Sequence, residues 1–433
     1  MAVLSKVFAI FLWIPLIIWV GASEVFEKAR GKHSPIEFIP GVTFSTIQAK
    51  RLNLDPEETY LAILDDLGAE RLRLVAYWPE IEKLPGEYDF SQLDFQIKEA
   101  EKRNAKVILA LGIKLPRWPE CHLPQWVSGT SNSSKSQIPS KEFEALFFNY
   151  ISRVVMRYKE SSAISMWQVE NEPFFKFGLC PQITLEFLKK EVEVVKLLDD
   201  RPILITDSGE LSSWFSASRL GDVVGTTMYR RNLMKFGYIT YPLPARYYEK
   251  KAALIKKFFG DNVLVIEMQA EPWMRSANLA DFSPEEQFKG LDFERFKSHI
   301  AYAKASRLSP VYFWGVEWWY WLKKEGHPEF WNWAKENLWP KPKTEFEVTI
   351  LPSPSPKALS FAKTLRPGMQ DEEVVRLQAV LKKLGFFPES APISGYFGPI
   401  TEKAVQDFQK AHGIEPLGIV GPKTLKLLNE IVK

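Results

Sequence analysis

A chain of 433 residues is too long for one ordinary domain and suits two or three. Hydrophobic residues at 46% and charged residues at 25% describe a globular protein, and a mean hydropathy of -0.17 excludes a polytopic membrane protein. A net charge of +3 without a Lys/Arg stripe leaves no footprint for nucleic acid, while two cysteines and five scattered histidines exclude a disulfide scaffold, a zinc ribbon and an iron–sulfur centre.

The unusual component is aromatic: 14% of residues, with 15 Trp. Trp offers a rigid apolar face and an N–H donor, which suits a cleft that stacks sugar rings.

Residues 1–30 carry one early lysine, Lys6, and then an apolar run from Val7 to Ala22. The run falls short of the ~20 residues of a bilayer span but fits a signal-peptide core. Val20-Gly21-Ala22 supplies small residues for cleavage. A cleaved signal and an uncleaved single membrane anchor both place the rest of the chain outside the cytoplasm, secreted or held at the cell envelope.

Residues 31–340 alternate short apolar runs with helical stretches. The predicted strands are Phe38–Phe44, Arg71–Tyr77, Lys106–Leu111, Ser165–Val169, Pro202–Thr206, Asp222–Met228, Asn262–Glu267 and Pro310–Trp314. Asp55-Pro56 and Ser283-Pro284 read as N-caps followed by Pro at the first helical position. Eight strands with intervening helices predict an α/β fold, a (β/α)₈ TIM barrel. A doubly wound sheet is the alternative, but no glycine-rich loop follows the first strand.

Residues 341–364 form a Pro/Ser-rich linker. Residues 365–433 predict a small all-α domain of three helices, near Glu372–Leu384, Thr401–His412 and Thr424–Ile431. Two similar turns, Gly395-Tyr396-Phe397-Gly398 and Gly418-Ile419-Val420-Gly421, each precede a Thr able to cap a helix.

Barrel active sites lie at the C-terminal ends of strands. Reading those ends gives Arg73 and Trp78 at the second strand, Asn171 and Glu172 at the fourth, and Tyr229 at the sixth. Glu267 ends the seventh and Trp314 the eighth. Two carboxylates across a barrel mouth are what glycoside hydrolysis needs, one as proton donor and one as nucleophile or base. Tyr229 is placed to hydrogen-bond one of them. Glu271 is a second candidate nucleophile, and Glu210 is a rim residue. Glu170 should face the helix layer. Trp118, Trp126, Trp273 and Trp318 fall in top-face loops, Trp273 being favoured for sugar contact, whereas Trp331 and Trp333 suit helix packing.

Asn171-Glu172-Pro173, taken with Glu267, resembles the clan A glycoside hydrolases. The resemblance implies Glu172 as acid/base, Glu267 as nucleophile with retention, and Asn171 on the sugar 2-hydroxyl. Arg73, Tyr229 and Trp314 match positions of the cellulase-like family 5. Two histidines of that family are absent: Thr227 stands at one place, and Ala110-Leu111-Gly112-Ile113 spans the other. Residues 365–428 resemble the type-one peptidoglycan-binding domain, with Ser394 where an Asp is usual. The implied protein is an exported retaining glycosidase acting on a carbohydrate substrate and tethered to peptidoglycan. No metal or organic cofactor is implied. A catalytically silent glycan-binding protein using the same cleft, and a transglycosylase, are the alternatives. Cys121 and Cys180 follow neighbouring strands at one face, and an exported protein would bridge them.

Overall fold

The computed structural model describes residues 36–128, 141–340 except 182, and 361–431 except 362, 389, 390 and 392. The chain divides into two compact units between Lys343 and Thr344. The apolar run at residues 7–22 and the linker at 341–360 lie outside the described residues. Among the described residues no helix is long and apolar enough to cross a membrane.

In the first unit, β1 (Pro40–Thr43), β2 (Arg71–Val75), β3 (Lys106–Leu111), β4 (Ile164–Val169), β5 (Ile203–Asp207) and β6 (Val223–Met228) come first in the barrel. An excursion, β7 (Arg231–Met234) and β8 (Gly237–Thr240), follows before β9 (Asn262–Gln269) and β10 (Val311–Trp314). The eight long-range strands pair in parallel and close in the order β1-β2-β3-β4-β5-β6-β9-β10. This is the predicted barrel, each strand falling within two residues of its expected ends. The antiparallel hairpin β7–β8 was not expected; it carries a fully exposed Phe236 at its tip.

The strands read as near-continuous apolar runs because both faces are covered. Inside the barrel Ile108, Leu204, Leu264, Ile266 and Tyr312 pack into one cluster. Outside it a single large core joins strands to helices. The caps act as read: Asp55 accepts from the Glu58 N–H, and Ser283 forms a capping box with Glu286.

The second unit holds three helices, Glu372–Lys383, Pro399–Ala411 and Pro422–Ile431, around Leu377, Phe397, Phe408 and Leu428. Phe361, assigned to the linker from sequence, is buried in this core, and its N–H bonds Asn429. Thr401 and Thr424 are not N-caps. Pro399 and Pro422 open the helices, and each Thr sits in the first turn. There its hydroxyl accepts from a glutamine of the preceding helix: Gln378 to Thr401 at 2.8 Å and Gln409 to Thr424 at 2.9 Å. Each glutamine also takes a glycine N–H, from Gly395 and Gly418, at 2.9 Å. The two turns are therefore built by one device used twice.

Candidate active site

The chain leaves β4 through an irregular turn. Glu170 and Glu172 both have positive φ, at 58° and 45°, a conformation that costs a non-glycine residue energy and persists only where neighbours enforce it. The Glu172 N–H is held by the Thr206 hydroxyl at 2.7 Å. Lys114 donates its ammonium to the carbonyls of Glu172 and Phe175 at 2.9 and 2.7 Å. Glu170 turns toward the helix layer, as expected from the pleat. It accepts the N–H groups of Ile113 and Lys114 and faces the buried Glu191. The Glu172 side chain accepts from the Thr227 hydroxyl at 3.1 Å. Burial, and secondly the charge of Glu267, hold its carboxyl well above the usual range.

Glu267 lies within β9, shut from solvent. Its Oε1 accepts from Arg73 Nη1 at 2.6 Å and its Oε2 from the Tyr229 hydroxyl at 2.8 Å. Arg73 reaches it from β2 and spends its other nitrogens on Gln168 and Asn171, at 2.7 Å each. One fully buried guanidinium thus fixes the nucleophile candidate and the Asn beside the acid candidate together. Glu210 holds Tyr229 in turn, accepting its N–H at 2.8 Å and the Tyr248 hydroxyl at 2.7 Å.

These groups open into a cavity of about 860 Å³, roughly the upper size of small-molecule sites and room for more than one sugar ring. One wall is a run of rings from four loops: Trp118 to Phe177 at 6.0 Å, Phe177 to Trp273 at 5.8 Å and Trp273 to Tyr229 at 5.4 Å. The Cys121–Cys180 disulfide joins the loops after β3 and β4 behind this wall, the pairing expected from sequence.

A third carboxylate faces the cavity. Glu120 is 7% exposed, and its Oε2 lies 3.5 Å from Asn171 Nδ2. Burial pushes it up to about 7, against the pull of Lys114. Its backbone is left-handed, φ 73°. Gly178 packs so closely that a β-carbon there would meet the Glu120 Cβ at 2.4 Å. Gly315 seats Glu271 in the same way, at 2.5 Å. Glu271 is tied to Arg117 and to the Trp314 indole N–H, the latter at 2.7 Å. Arg117 also pairs with the buried Glu317 at 2.9 Å.

Of the residues singled out from sequence, Glu172, Glu267, Asn171, Tyr229, Trp273 and Trp314 line the cavity, and Arg73 supports it from beneath. Trp314 has its N–H committed to Glu271 and one face covered by the Arg117 guanidinium at 4.0 Å. Trp78 is a correction. It opens the helix Trp78–Ile81, so its ring turns back into the layer outside the barrel, stacked on Tyr150 at 5.1 Å with its N–H on Glu82. It is fully buried and does not line the cavity. Trp126 and Trp318 also hold packing positions, with indole N–H groups on Glu82 and Gln287. Trp331 is buried in its helix. The sequence reading missed Glu120, Gln168, Lys114 and Arg117. Glu120 sits beside Cys121 in an irregular strand-end loop that no periodicity marks.

The Beta-galactosidase family of glycoside hydrolases (family 42) matches residues 61–304, a stretch holding every residue of the carboxylate network from Arg73 to Glu267. The peptidoglycan binding domain matches residues 370–428. Over 97 residues the chain is 34% identical to the N-acetylmuramoyl-L-alanine amidase CwlL of Bacillus licheniformis, covering 22% of this chain and 26% of that protein. Over 122 residues it is 25% identical to Mannan endo-1,4-beta-mannosidase F of Aspergillus clavatus, covering 28% and 27%. It thus spans about a quarter of the length of these relatives. The crystal structure of a GH5_18 protein from Streptomyces cattleya with GlcNAc superposes with a TM-score of 0.46 at 14% identity, covering 65% of this chain and 71% of that one. With the family matched over more than half its length, the chain belongs to the Beta-galactosidase family 42 of clan A glycoside hydrolases and carries a peptidoglycan binding domain at its C-terminal end.

Proposed function

We propose that the protein is an exported, retaining glycosidase held at the cell wall by its C-terminal domain. One observation carries the catalytic part: two buried carboxylates at one rim have opposite surroundings. Burial, and secondly the neighbouring charge of Glu267, raise the Glu172 carboxyl well above the usual range. Glu267 accepts from a guanidinium and a phenol, one at each oxygen. Unequal environments of this kind assign acid and nucleophile.

In this reading a Glu267 oxygen attacks the anomeric carbon while the Glu172 proton passes to the leaving oxygen, breaking the glycosidic bond. Glu172, now a carboxylate, takes a proton from water. The hydroxide equivalent displaces Glu267 from the anomeric carbon and frees the sugar with its configuration retained. Asn171, fixed by Arg73, holds the sugar 2-hydroxyl. The ring wall of Trp118, Phe177 and Trp273 packs the flat faces of further sugar units.

The relatives' names, a beta-galactosidase family and a mannosidase, support a neutral hexoside as substrate. The amidase likeness and the peptidoglycan binding domain support residence at the wall. A panel of aryl β-hexosides, with product anomers followed by NMR, tests the reading. Retained product from one of them is expected; inverted product, or no turnover of any glycoside, defeats it.

A further inference from the structure

Glu120 has no part in the mechanism above, yet it is among the most constrained side chains of the cleft. A left-handed backbone turns it inward, Gly178 leaves it no room to withdraw, and the next residue is disulfide-bonded to the loop that carries Gly178. Among the described residues no cation forms an ion pair with it. Its contact with Asn171 is long at 3.5 Å. A carboxyl buried this far is costly unless donors reach it, and an open cavity is where such donors would arrive.

We infer that Glu120 is the acceptor for the 3-hydroxyl of the bound sugar, and that the cleft therefore selects neutral glycones with that hydroxyl free. The inference rests on the proposed placing of the 2-hydroxyl on Asn171. Vicinal hydroxyls of a pyranose lie gauche, about one hydrogen bond apart, and Glu120 Oε2 lies 3.5 Å from Asn171 Nδ2. The 3-hydroxyl is equatorial in gluco, galacto and manno sugars alike, so the contact does not depend on which of them is the substrate.

The same carboxyl turns away muramic acid. Its 3-O-lactyl ether has no hydroxyl to donate, adds bulk beside Glu120, and brings a carboxylate toward Glu120 and Glu267. The Arg117 charge is already spent on Glu271 and Glu317; Arg51 and Arg275 also line the cavity, so the exclusion rests on the missing donor and the bulk of the ether. The muramyl bonds of peptidoglycan are then not what the barrel cuts: the wall is its mooring, and a neutral glycan is its substrate.

The test uses the full chain with 4-nitrophenyl β-galactopyranoside, 4-nitrophenyl β-mannopyranoside and the 3-deoxy form of each. Loss of a hydrogen bond to a buried carboxyl predicts a fall of roughly 10- to 100-fold in kcat/KM for the 3-deoxy form with the wild-type protein. Glu120→Ala should lower kcat/KM on the parent glycoside by a similar factor and handle the two forms alike, with partial rescue in Glu120→Gln. Calorimetric titration with the matching methyl glycosides repeats the comparison without turnover and without a variant. Selective binding with no hydrolysis leaves Glu120 in place and removes the hydrolase reading instead. Equal affinity for parent and 3-deoxy forms, binding of neither glycoside, or competition by methyl N-acetylmuramide equal to that of the parent, overturns the inference.

Discussion

Arg73 and Glu267 meet at 2.6 Å with side chains 0% and 3% exposed. The pair is fully desolvated, and the same guanidinium also bonds Gln168 and Asn171. Removing one partner of such a pair strands a buried charge, at about 3–5 kcal/mol. Arg73→Ala should therefore lose most of the barrel's stability margin as well as activity. Arg73→Lys keeps the charge but not the planar fork; it should melt closer to wild type while kcat falls about 100-fold through misplacement. A lysine variant with wild-type kcat would show that the fork does not position the site.

Exchanging the two glutamates separates their roles. Glu172→Gln should slow hydrolysis of alkyl glycosides by about 10²–10⁴-fold and leave dinitrophenyl glycosides, whose leaving group needs no proton, nearly unaffected in the first step. Glu267→Gln should remove both activities. Steady-state and burst kinetics check this, and a Glu267→Gln protein that turns over normally would move the nucleophile to Glu271.

Stability should fall as pH rises through neutrality. Burial pushes Glu120, Glu170 and Glu317 up to about 7 from an ordinary 4.5, and Glu172 and Glu191 are held well above it as well. Between pH 4.5 and 7 the folded barrel holds protons that the unfolded chain releases. Their contribution is whole below 4.5 and is lost as pH passes about 7. Buried His122 and His299, pushed down to about 4, act in the opposite sense below pH 6.5, so thermal melts from pH 6.5 to 8 should show a declining midpoint for the barrel; a midpoint that climbs over that interval contradicts the burial of these carboxyls.

The disulfide fastens the β3 and β4 loops across 59 residues of sequence. Replacing both cysteines by Ala should cost about 2–4 kcal/mol and raise KM more than it lowers kcat, because the wall bearing Trp118 and Phe177 loosens while Glu172 and Glu267 stay put. Thiol counting under denaturing, non-reducing conditions should find no free thiol in the wild-type protein.

A chain ending near Thr344 should fold, keep full activity on soluble glycosides and lose retention on insoluble peptidoglycan. Gln378→Ala in the full chain should do much the same by unpicking one of the two turns, leaving the barrel's melting transition unmoved. Equal pelleting of the truncated and full-length proteins with walls would refute the tether.

The barrel was legible because each strand is a run of apolar residues covered on both faces, from Lys106–Leu111 to Asn262–Gln269. Glu172 and Glu267 were legible because strand ends of this fold point to one rim. Trp78 misled because the strand already ends at Val75 and a helix opens at Trp78, and that helix decides which way the ring turns. Glu120 was not legible: it is brought inward by left-handed backbone in an irregular loop, which no periodicity signals. Thr227, the place of an absent histidine, still donates to Glu172, a role that residue identity alone did not reveal.

Gly178 and Gly315 mark where the cleft was made by leaving atoms out. A side chain can be exchanged for another of similar bulk, but a missing one cannot be exchanged for anything smaller. Saturation libraries over this rim should find both positions empty of tolerated variants even where Trp118 or Trp273 accept several. Any attempt to widen the sugar range by directed evolution therefore has to travel through the aromatic wall. The two acidic walls behind it are fixed, since every step away from glycine pushes Glu120 or Glu271 into the space the sugar needs.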